Sequence, residues 1–350
     1  MPNTLFDPYL QFAFFTGVGA IALALLATAL IVYLRFALIR RTRREQAFLV
    51  VWRPLLVKAL TSRLQSSLPT LDPSQRVFFL RLWVQLQESL RGLESSSLID
   101  VALRVGCEKF ARGLLNEGNP AERLLAILAL GHLGDRSAWR LLFNVARSKD
   151  TISSLSAVRA LIQIDATKAA SELLPLLLGR TDWPQARIAA MLQSEQASFA
   201  EPLVNAANLA KGEHLIRLLR LLEALRLQPP ISRLSILLSG DQLPDIVIGA
   251  LRVTLAPGLL PRVRELAGHA DWRVRVQVAK VLGRIGELQD VVLLSNLLSD
   301  PEWWVRYCSA CALIGLPFVS RPQVEVLRHS IEDPYARDIL EQVLFEKAAA

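Results

Sequence analysis

Asp271-Trp272-Arg273-Val274-Arg275-Val276-Gln277-Val278-Ala279-Lys280-Val281-Leu282-Gly283-Arg284-Ile285-Gly286 is the stretch on which the fold turns. It opens on an acid able to cap a helix, continues through Ala279 and Leu282 on one helical face, and closes on glycine. The same pattern returns as Asp300-Pro301-Glu302-Trp303-Trp304-Val305-Arg306, followed by Ala310 and Leu313. Working outward, marker leucines stand at Leu130, Leu161, Leu192, Leu222, Leu251, Leu282, Leu313 and Leu344, spaced by 31, 31, 30, 29, 31, 31 and 31 residues. A period near 30 with two helical stretches per unit is a tandem repeat whose units cannot bury their apolar faces alone. The expected fold is therefore all-α, an α-solenoid of helix pairs.

Within a unit, a marker helix such as residues 272–285 is followed by a second apolar helix such as residues 290–298. Ala189, Ala279 and Ala310 sit three residues before their leucines, making the stripe on which neighbouring units pack. Asp182-Trp183-Pro184, Asp271-Trp272, Asp300-Pro301 and Asp333-Pro334 place an acid in the turns, where it is expected to cap the next helix. Glu117-Gly118-Asn119-Pro120 opens the array, which is assigned to residues 119–350. Residues 212–257 match the pattern least, and Pro229-Pro230 falls where a second helix should start, so a local irregularity is expected there.

At the opposite end, Phe12 to Leu34 is a run of 23 residues without a charge. At about 1.5 Å per residue it is long enough to cross a hydrocarbon core of roughly 30 Å. Residues 12–34 are read as a single transmembrane helix after a short extracytoplasmic segment, residues 1–11. Arg35, Arg40, Arg41, Arg43 and Arg44 follow the run, whereas only Asp7 precedes it. Retention of positive charge on the inner side orients the amino terminus outward and residues 35–350 toward the cytoplasm. A cleaved signal peptide would carry its basic residues before a shorter apolar run. Thr16, Ala20, Ala24 and Thr28, four apart, offer a small-residue face on which another membrane helix could pack.

Residues 35–70 are a basic juxtamembrane linker. Phe48, Leu49, Val51, Trp52, Leu55, Leu56, Ala59, Leu60 and Leu64 recur at helical spacing, with Pro54 either starting the helix or kinking it. Two readings of this amphipathic stretch stand side by side: a helix lying in the headgroup region with Trp52 at the interface, or a linker helix packed on the first repeat. Residues 71–118 are assigned to an atypical helical cap. It comprises helices from Val77 to Leu90 and from Leu98 to Leu115, started by Asp72 or Ser74, with Phe78, Phe79, Trp83 and Phe110 as its core.

The net charge is +8. Residues 35–63 carry +7 of it, with seven arginines and Lys58 against Glu45, and residues 64–350 only +2. A basic excess concentrated beside the apolar run suits anionic lipid headgroups, each charge there being worth about 1 kcal/mol, and argues against nucleic acid. His132, His214, His269 and His329 are scattered, with no second ligand at metal-binding spacing. Cys308-Ser309-Ala310-Cys311 is one CxxC. Zinc needs a second pair, and redox work needs the motif at a helix start beside a parallel sheet, so packing or simple thiols is the expected use; Cys107 makes an odd third cysteine. Gly131-His132-Leu133-Gly134 and Gly283-Arg284-Ile285-Gly286 close helices and do not cradle phosphate. No serine stands in a nucleophile elbow. No enzyme, cofactor, metal or small-molecule substrate is expected.

These residues resemble HEAT repeats, in the bacterial form also found in phycobilisome-lyase-type proteins. The resemblance covers roughly residues 119–347 and is best at 271–286 and 300–314. It implies a ladder between units built from a turn aspartate and an arginine early in the next helix. Asp300 and Arg306 match that spacing, Asp271 and Arg275 match it loosely, and several units lack the arginine. The resemblance also implies binding in place of chemistry. The overall layout, with Leu86-Gln87-Glu88-Ser89-Leu90-Arg91-Gly92, is similar to small inner-membrane proteins associated with polysaccharide glycosyltransferases. The expected function is thus a non-catalytic scaffold anchored in a bacterial inner membrane, whose cytoplasmic solenoid binds an integral membrane enzyme. Trp272, Arg273, Trp303 and Trp304 are the candidate interface residues, since tryptophan and arginine dominate interface energetics. The alternative is a lyase or chaperone for a bilin-type prosthetic group.

Overall fold

The computed structural model describes residues 8–61, 68–90 and 96–349, and no strand occurs among them. Leu64 and Gly92 lie outside the described residues. The helices form two compact units, Met1–Trp139 and Arg140–Ala350.

The first unit is dominated by α1 (Pro8–Thr61), one helix of 54 residues that runs through Pro54 without starting there. Its two halves meet different surroundings. Up to Ile39 its described side chains are exposed, Phe14, Phe15, Leu23, Leu26, Ile31 and Phe36 among them. From Phe48 onward one face is buried: Phe48, Trp52, Leu56 and Ala59 recur at i, i+4, i+8 and i+11 and pack on α2 (Arg76–Ser89) and α3 (Ser96–Val105). Trp52 is only 2% exposed and meets the Phe79 ring edge-on at 4.9 Å. This corrects the headgroup reading of Trp52, because the ring is spent on a protein core.

Trp83 is fully buried in the same core and donates its indole N–H to the Leu98 carbonyl at 2.8 Å. Phe78 and Phe110 are only half-buried. The single helix expected from Leu98 to Leu115 is instead α3 and α4 (Cys107–Glu117), broken at Gly106, whose φ of 78° is a left-handed conformation that suits glycine. α5 (Pro120–Leu133) starts on a reciprocal capping box between Asn119 and Glu122. It ends at Gly134, also left-handed, with the Asp135 amide returning to the Leu130 carbonyl.

The division falls at the first residue of α6 (Trp139–Ala146). The second unit continues with α7 (Thr151–Ile164), α8 (Ala166–Gly179), α9 (Gln185–Gln193), α10 (Gln196–Leu209), α11 (Gly212–Ala224), α12 (Ile231–Leu237) and α13 (Pro244–Val253). It ends with α14 (Leu260–Glu265), α15 (Trp272–Ile285), α16 (Asp290–Leu297), α17 (Trp303–Gly315), α18 (Arg321–Ser330) and α19 (Pro334–Ala349). The odd-numbered helices from α7 to α19 carry the marker leucines. From α9 onward each odd helix packs directly on the next, and the even helices lie against them. Leu161, Leu192, Leu222, Leu251, Leu282 and Leu313 are all fully buried, as is Leu130 in the first unit. Leu344 is the exception: it is half-buried, and Leu340 and Val343 occupy the core of α19 in its place.

The irregularity expected near Pro229-Pro230 is present. α11 ends on Arg226, a non-glycine residue at φ 53°, and the second helix that follows the prolines has only seven residues. The Leu227 amide closes the turn on the Leu222 carbonyl at 2.8 Å, the bond that Gly134 supports without a Cβ in the first unit.

Units are stitched by arginines. Arg275 makes a two-pronged contact with Asp300 of the following unit, Nε to Oδ2 at 2.7 Å and Nη2 to Oδ1 at 2.8 Å, while its Nη1 donates to the carbonyl of His269 at 2.8 Å. The ladder therefore runs from Arg275 forward to Asp300. The Asp300 and Arg306 pairing suggested by spacing is made through the Asp300 backbone carbonyl instead, at 2.8 Å. Arg264 grips the buried Asp290 in the same manner at 2.6 and 3.0 Å. Elsewhere arginine meets the carbonyl end of a neighbouring helix: Arg233 caps α10 through Ala207 and Ala210, and Arg284 caps α13 through Leu251 and Arg252. Cation and negative helix pole are complementary there.

The turn acids divide in two groups. Asp271 and Asp333 accept from the amides of Arg273 and Tyr335, as capping requires. Asp300 does not cap α17, which follows Glu302 without a side-chain cap; its carboxylate takes the Glu302 amide, one residue before the helix. Asp182 does not cap α9, which begins after Pro184 without a side-chain cap. It binds the Arg180 guanidinium through both oxygens at 2.7 and 2.6 Å and accepts from the Thr151 hydroxyl at 2.9 Å. Those bonds, Arg180 foremost, hold its carboxyl well below the usual carboxylate range. A carboxyl depressed in the folded state stabilises above its unfolded value and loses that contribution as pH falls. The unfolding midpoint is expected to fall as pH drops below about 4, and less steeply in Asp182→Asn; identical pH profiles for the two proteins would exclude this source.

Close approach of α15 and α17 depends on Gly283. A Cβ at this position would lie 2.8 Å from the Ala312 Cβ and 3.0 Å from its Cα. Gly283→Ala is expected to lower stability by about 1–3 kcal/mol, and adding Ala312→Gly should recover part of the loss. Additive effects in a denaturation series would contradict this packing.

Candidate functional site

α11, α13, α15 and α17 together frame an open groove of about 880 Å³ in the second unit. α15 supplies Trp272, Val276, Lys280 and Gly283, and α17 supplies Trp304, Tyr307, Cys308 and Cys311. Each set recurs at three or four residues, so each is one face of its helix. Gly283 on Ala312 brings the two helices together at the floor. Glu223, Arg252 and Arg284 complete the wall; Arg252 pairs with Glu223 at 3.6 Å, and Arg284 is engaged with the end of α13. Lys280 is exposed, and no ion pair is formed by it among the described residues.

The mouth of the groove is aromatic. Trp303 and Trp304 meet edge to face at 4.8 Å, Trp303 stacks on Tyr307 at 5.1 Å with 13° between the planes, and Trp304 is edge-on to Tyr307 at 6.3 Å. Trp272, Trp303 and Trp304 remain 37%, 41% and 54% exposed. Trp303 and Trp304, fixed by each other and by Tyr307 and left partly open to water, are a surface able to bury apolar area at small entropic cost. Tyr307 donates to Glu346 at 2.8 Å, and that bond pushes its hydroxyl up to about 12. Burial raises both Cys308 and Cys311, keeping the thiols protonated at neutral pH.

Of the four interface candidates, Trp272 and Trp304 line the groove, and Trp303 braces its mouth. Arg273 does not line it: its guanidinium is held by Asp271 at 2.7 Å and Asp245 at 3.2 Å. Tyr307 and Lys280 are the groove residues that the sequence did not single out. Their signal was the helical spacing from Trp304 and Trp272.

Along α1, Thr16 and Thr28 donate their hydroxyls to the carbonyls of Phe12 and Ala24 at 2.7 and 2.8 Å. Ala20 and Ala24 are exposed on the same helix. α1 is long and apolar enough to cross a membrane, and its most apolar window is wholly unburied. Arg35, Arg40, Arg43 and Arg44 are exposed beyond that window, with Arg40 stacked over Phe36 at 4.6 Å. The Arg41 side chain lies outside the described residues. Two of the four histidines have protein partners: His132 pairs with Glu88 at 2.8 Å and His269 accepts from the Asp271 amide at 3.0 Å. Among the described residues no group of three His, Cys, Asp or Glu side chains could hold a metal ion.

The family model for HEAT repeats matches residues 108–193 and 246–314. The helix pairs of these two stretches match the HEAT pattern, and the intervening gap contains the irregular turn at Arg226 and the double proline. No curated protein matches the chain. Among solved structures, similarity extends to the crystal structure of an engineered protein, at 18% identity over 75% of this chain and 96% of that one, with a TM-score of 0.23. A designed armadillo repeat protein is similar at 15% identity over 75% of this chain and 99% of that one, with a TM-score of 0.21.

Proposed function

We propose that this protein is a non-catalytic scaffold anchored in a membrane by α1, whose HEAT repeats hold a protein partner at the Trp272 and Trp304 groove. The groove carries the reading: a HEAT array is a binding surface by construction, and here its exposed tryptophans converge on one concavity. The anchor rests on α1, whose first half exposes apolar side chains that water would not tolerate as a free helix face. The arginines after the run orient the repeats to the cytoplasmic side of a bacterial inner membrane. The partner of choice is an integral membrane enzyme, such as a polysaccharide glycosyltransferase, which the overall layout suggests. It would be met both by the groove and by the Thr16, Ala20, Ala24 and Thr28 face.

A prosthetic-group lyase or chaperone would use the same groove, with Cys308 and Cys311 as its thiols. Burial holds both protonated, which disfavours adduct formation at neutral pH and leaves the scaffold as the preferred reading. Trp272→Ala with Trp304→Ala is expected to weaken partner binding by at least about 2 kcal/mol, the range of interface hot spots. The measurement is a titration of the purified pair by surface plasmon resonance. Unchanged affinity would remove the groove from the interface.

A further inference from the structure

Where α1 passes from its exposed apolar half to its packed half, a second cavity of about 500 Å³ opens beside the start of α2. Arg40 and Arg44, one turn apart on α1, form one wall; Ser74, Gln75 and Phe78 form the other. The cavity is closed on one side by the contact of Phe48 on Phe78, with ring centres 6.2 Å apart. Toward the apolar half, Arg40 lies on Phe36 and directly follows the exposed Ile39. Among the described residues no carboxylate is paired with either guanidinium. Asp72 is the acid on the wall, and its carboxylate already accepts from the Ser74 amide at 2.8 Å. Gln75 precedes α2 and lines the cavity, and its side chain makes no capping hydrogen bond to that helix.

We propose that this cavity is a binding site for the phosphate of an anionic phospholipid headgroup, with Arg40 and Arg44 on the phosphate oxygens and Gln75 as a hydrogen-bonding partner. The inference rests on the membrane-anchored reading of α1. Guanidinium is suited to phosphate by its planar fork of donors. Counted from Leu34, the end of the charge-free run, Arg40 and Arg44 stand about 9 and 15 Å further along the helix, so a headgroup is met from its cytoplasmic side, with Arg40 reaching back over Phe36. Lipid in this cavity would fix the angle at which the packed half of α1 leaves the membrane.

The test is native mass spectrometry of the full-length chain from mild detergent, equilibrated with phosphatidylglycerol, phosphatidylcholine or inorganic phosphate. A diffuse basic surface would lose the same binding whichever two arginines were removed. A built site is expected to retain phosphatidylglycerol over phosphatidylcholine and to lose it about tenfold in Arg40→Gln with Arg44→Gln, but about twofold or less in Arg35→Gln with Arg43→Gln. Gln75→Glu, which leaves both arginines in place, should give a loss similar to the first pair. Equal losses in the two arginine pairs would overturn the site, and so would displacement of the lipid by millimolar phosphate, which would make the ligand a free anion. Extraction of the same membranes with alkaline carbonate separates the two levels of the argument. A chain released into solution defeats the anchor, whereas a chain retained with equal lipid losses defeats only the cavity.

Discussion

Asp300→Ala is expected to lower the stability of the second unit by about 3–5 kcal/mol, the cost of removing one partner from a buried ion pair. Both side chains are largely out of water, at 12% exposure for Arg275 and 6% for Asp300. The aspartate also takes the Glu302 amide in the turn before α17, at 2.9 Å, so its loss would leave that amide without its acceptor as well as strand a guanidinium. Arg275→Met combined with Asp300→Leu should recover much of the loss, because no buried charge is then left alone. Arg275→Met, Asp300→Leu and their combination, measured by urea denaturation, form a cycle. A double variant as unstable as the sum of the singles would show that the ladder does not couple the two units.

Trp183→Ala is expected to cost about 3–5 kcal/mol, the range for deleting a buried aromatic side chain. The ring is 1% exposed, lies 4.8 Å beneath the Arg180 guanidinium and donates its N–H to the Ser154 hydroxyl at 3.1 Å. Trp183→Phe keeps most of the packing and forfeits that hydrogen bond, so its cost should be nearer 1 kcal/mol. Trp304→Ala, by contrast, removes a ring that is more than half exposed, and its effect should fall mainly on binding. Thermal unfolding of the three variants checks the ordering; a Trp304→Ala midpoint as low as that of Trp183→Ala would make Trp304 a core residue.

That contrast shows what was legible in the sequence. Asp182-Trp183 and Asp271-Trp272 read alike, as an acid and an aromatic in a repeat turn. What buries one and exposes the other is supplied from elsewhere: Arg180 covers Trp183, and Ser154 reaches it from 29 residues earlier. Local spacing holds no record of either. The marker leucines were legible because burial in a solenoid repeats with the unit, and the pattern lapsed only at Leu344, in the final helix. Asp182 was misread as a cap for the same reason as Trp183, since Arg180 and Thr151 claim its carboxylate before the helix can.

The first unit gives a second lesson. Phe48, Trp52, Leu56 and Ala59 make an amphipathic face that lipid or protein could cover equally well, and only the tertiary contact with Phe79 decides between them. The break at Gly106 was hidden for a different reason: an apolar run on both sides of one glycine reads as continuous helix, although the left-handed turn it permits separates α3 from α4. In the groove, Trp304, Tyr307, Cys308 and Cys311 share a helical face that spacing reveals. Which face of α17 stays open is set by α15 and α19 packing against it.

The measurement that bears most directly on the scaffold is recovery of partners from native membranes in mild detergent, with the wild-type chain and with Trp272→Ala plus Trp304→Ala run in parallel. The account predicts that an integral membrane enzyme accompanies the wild-type chain and is depleted from the variant, while both chains remain in the membrane fraction and unfold at similar temperatures. Recovery of the same enzyme by both chains, or of soluble proteins alone, would contradict it.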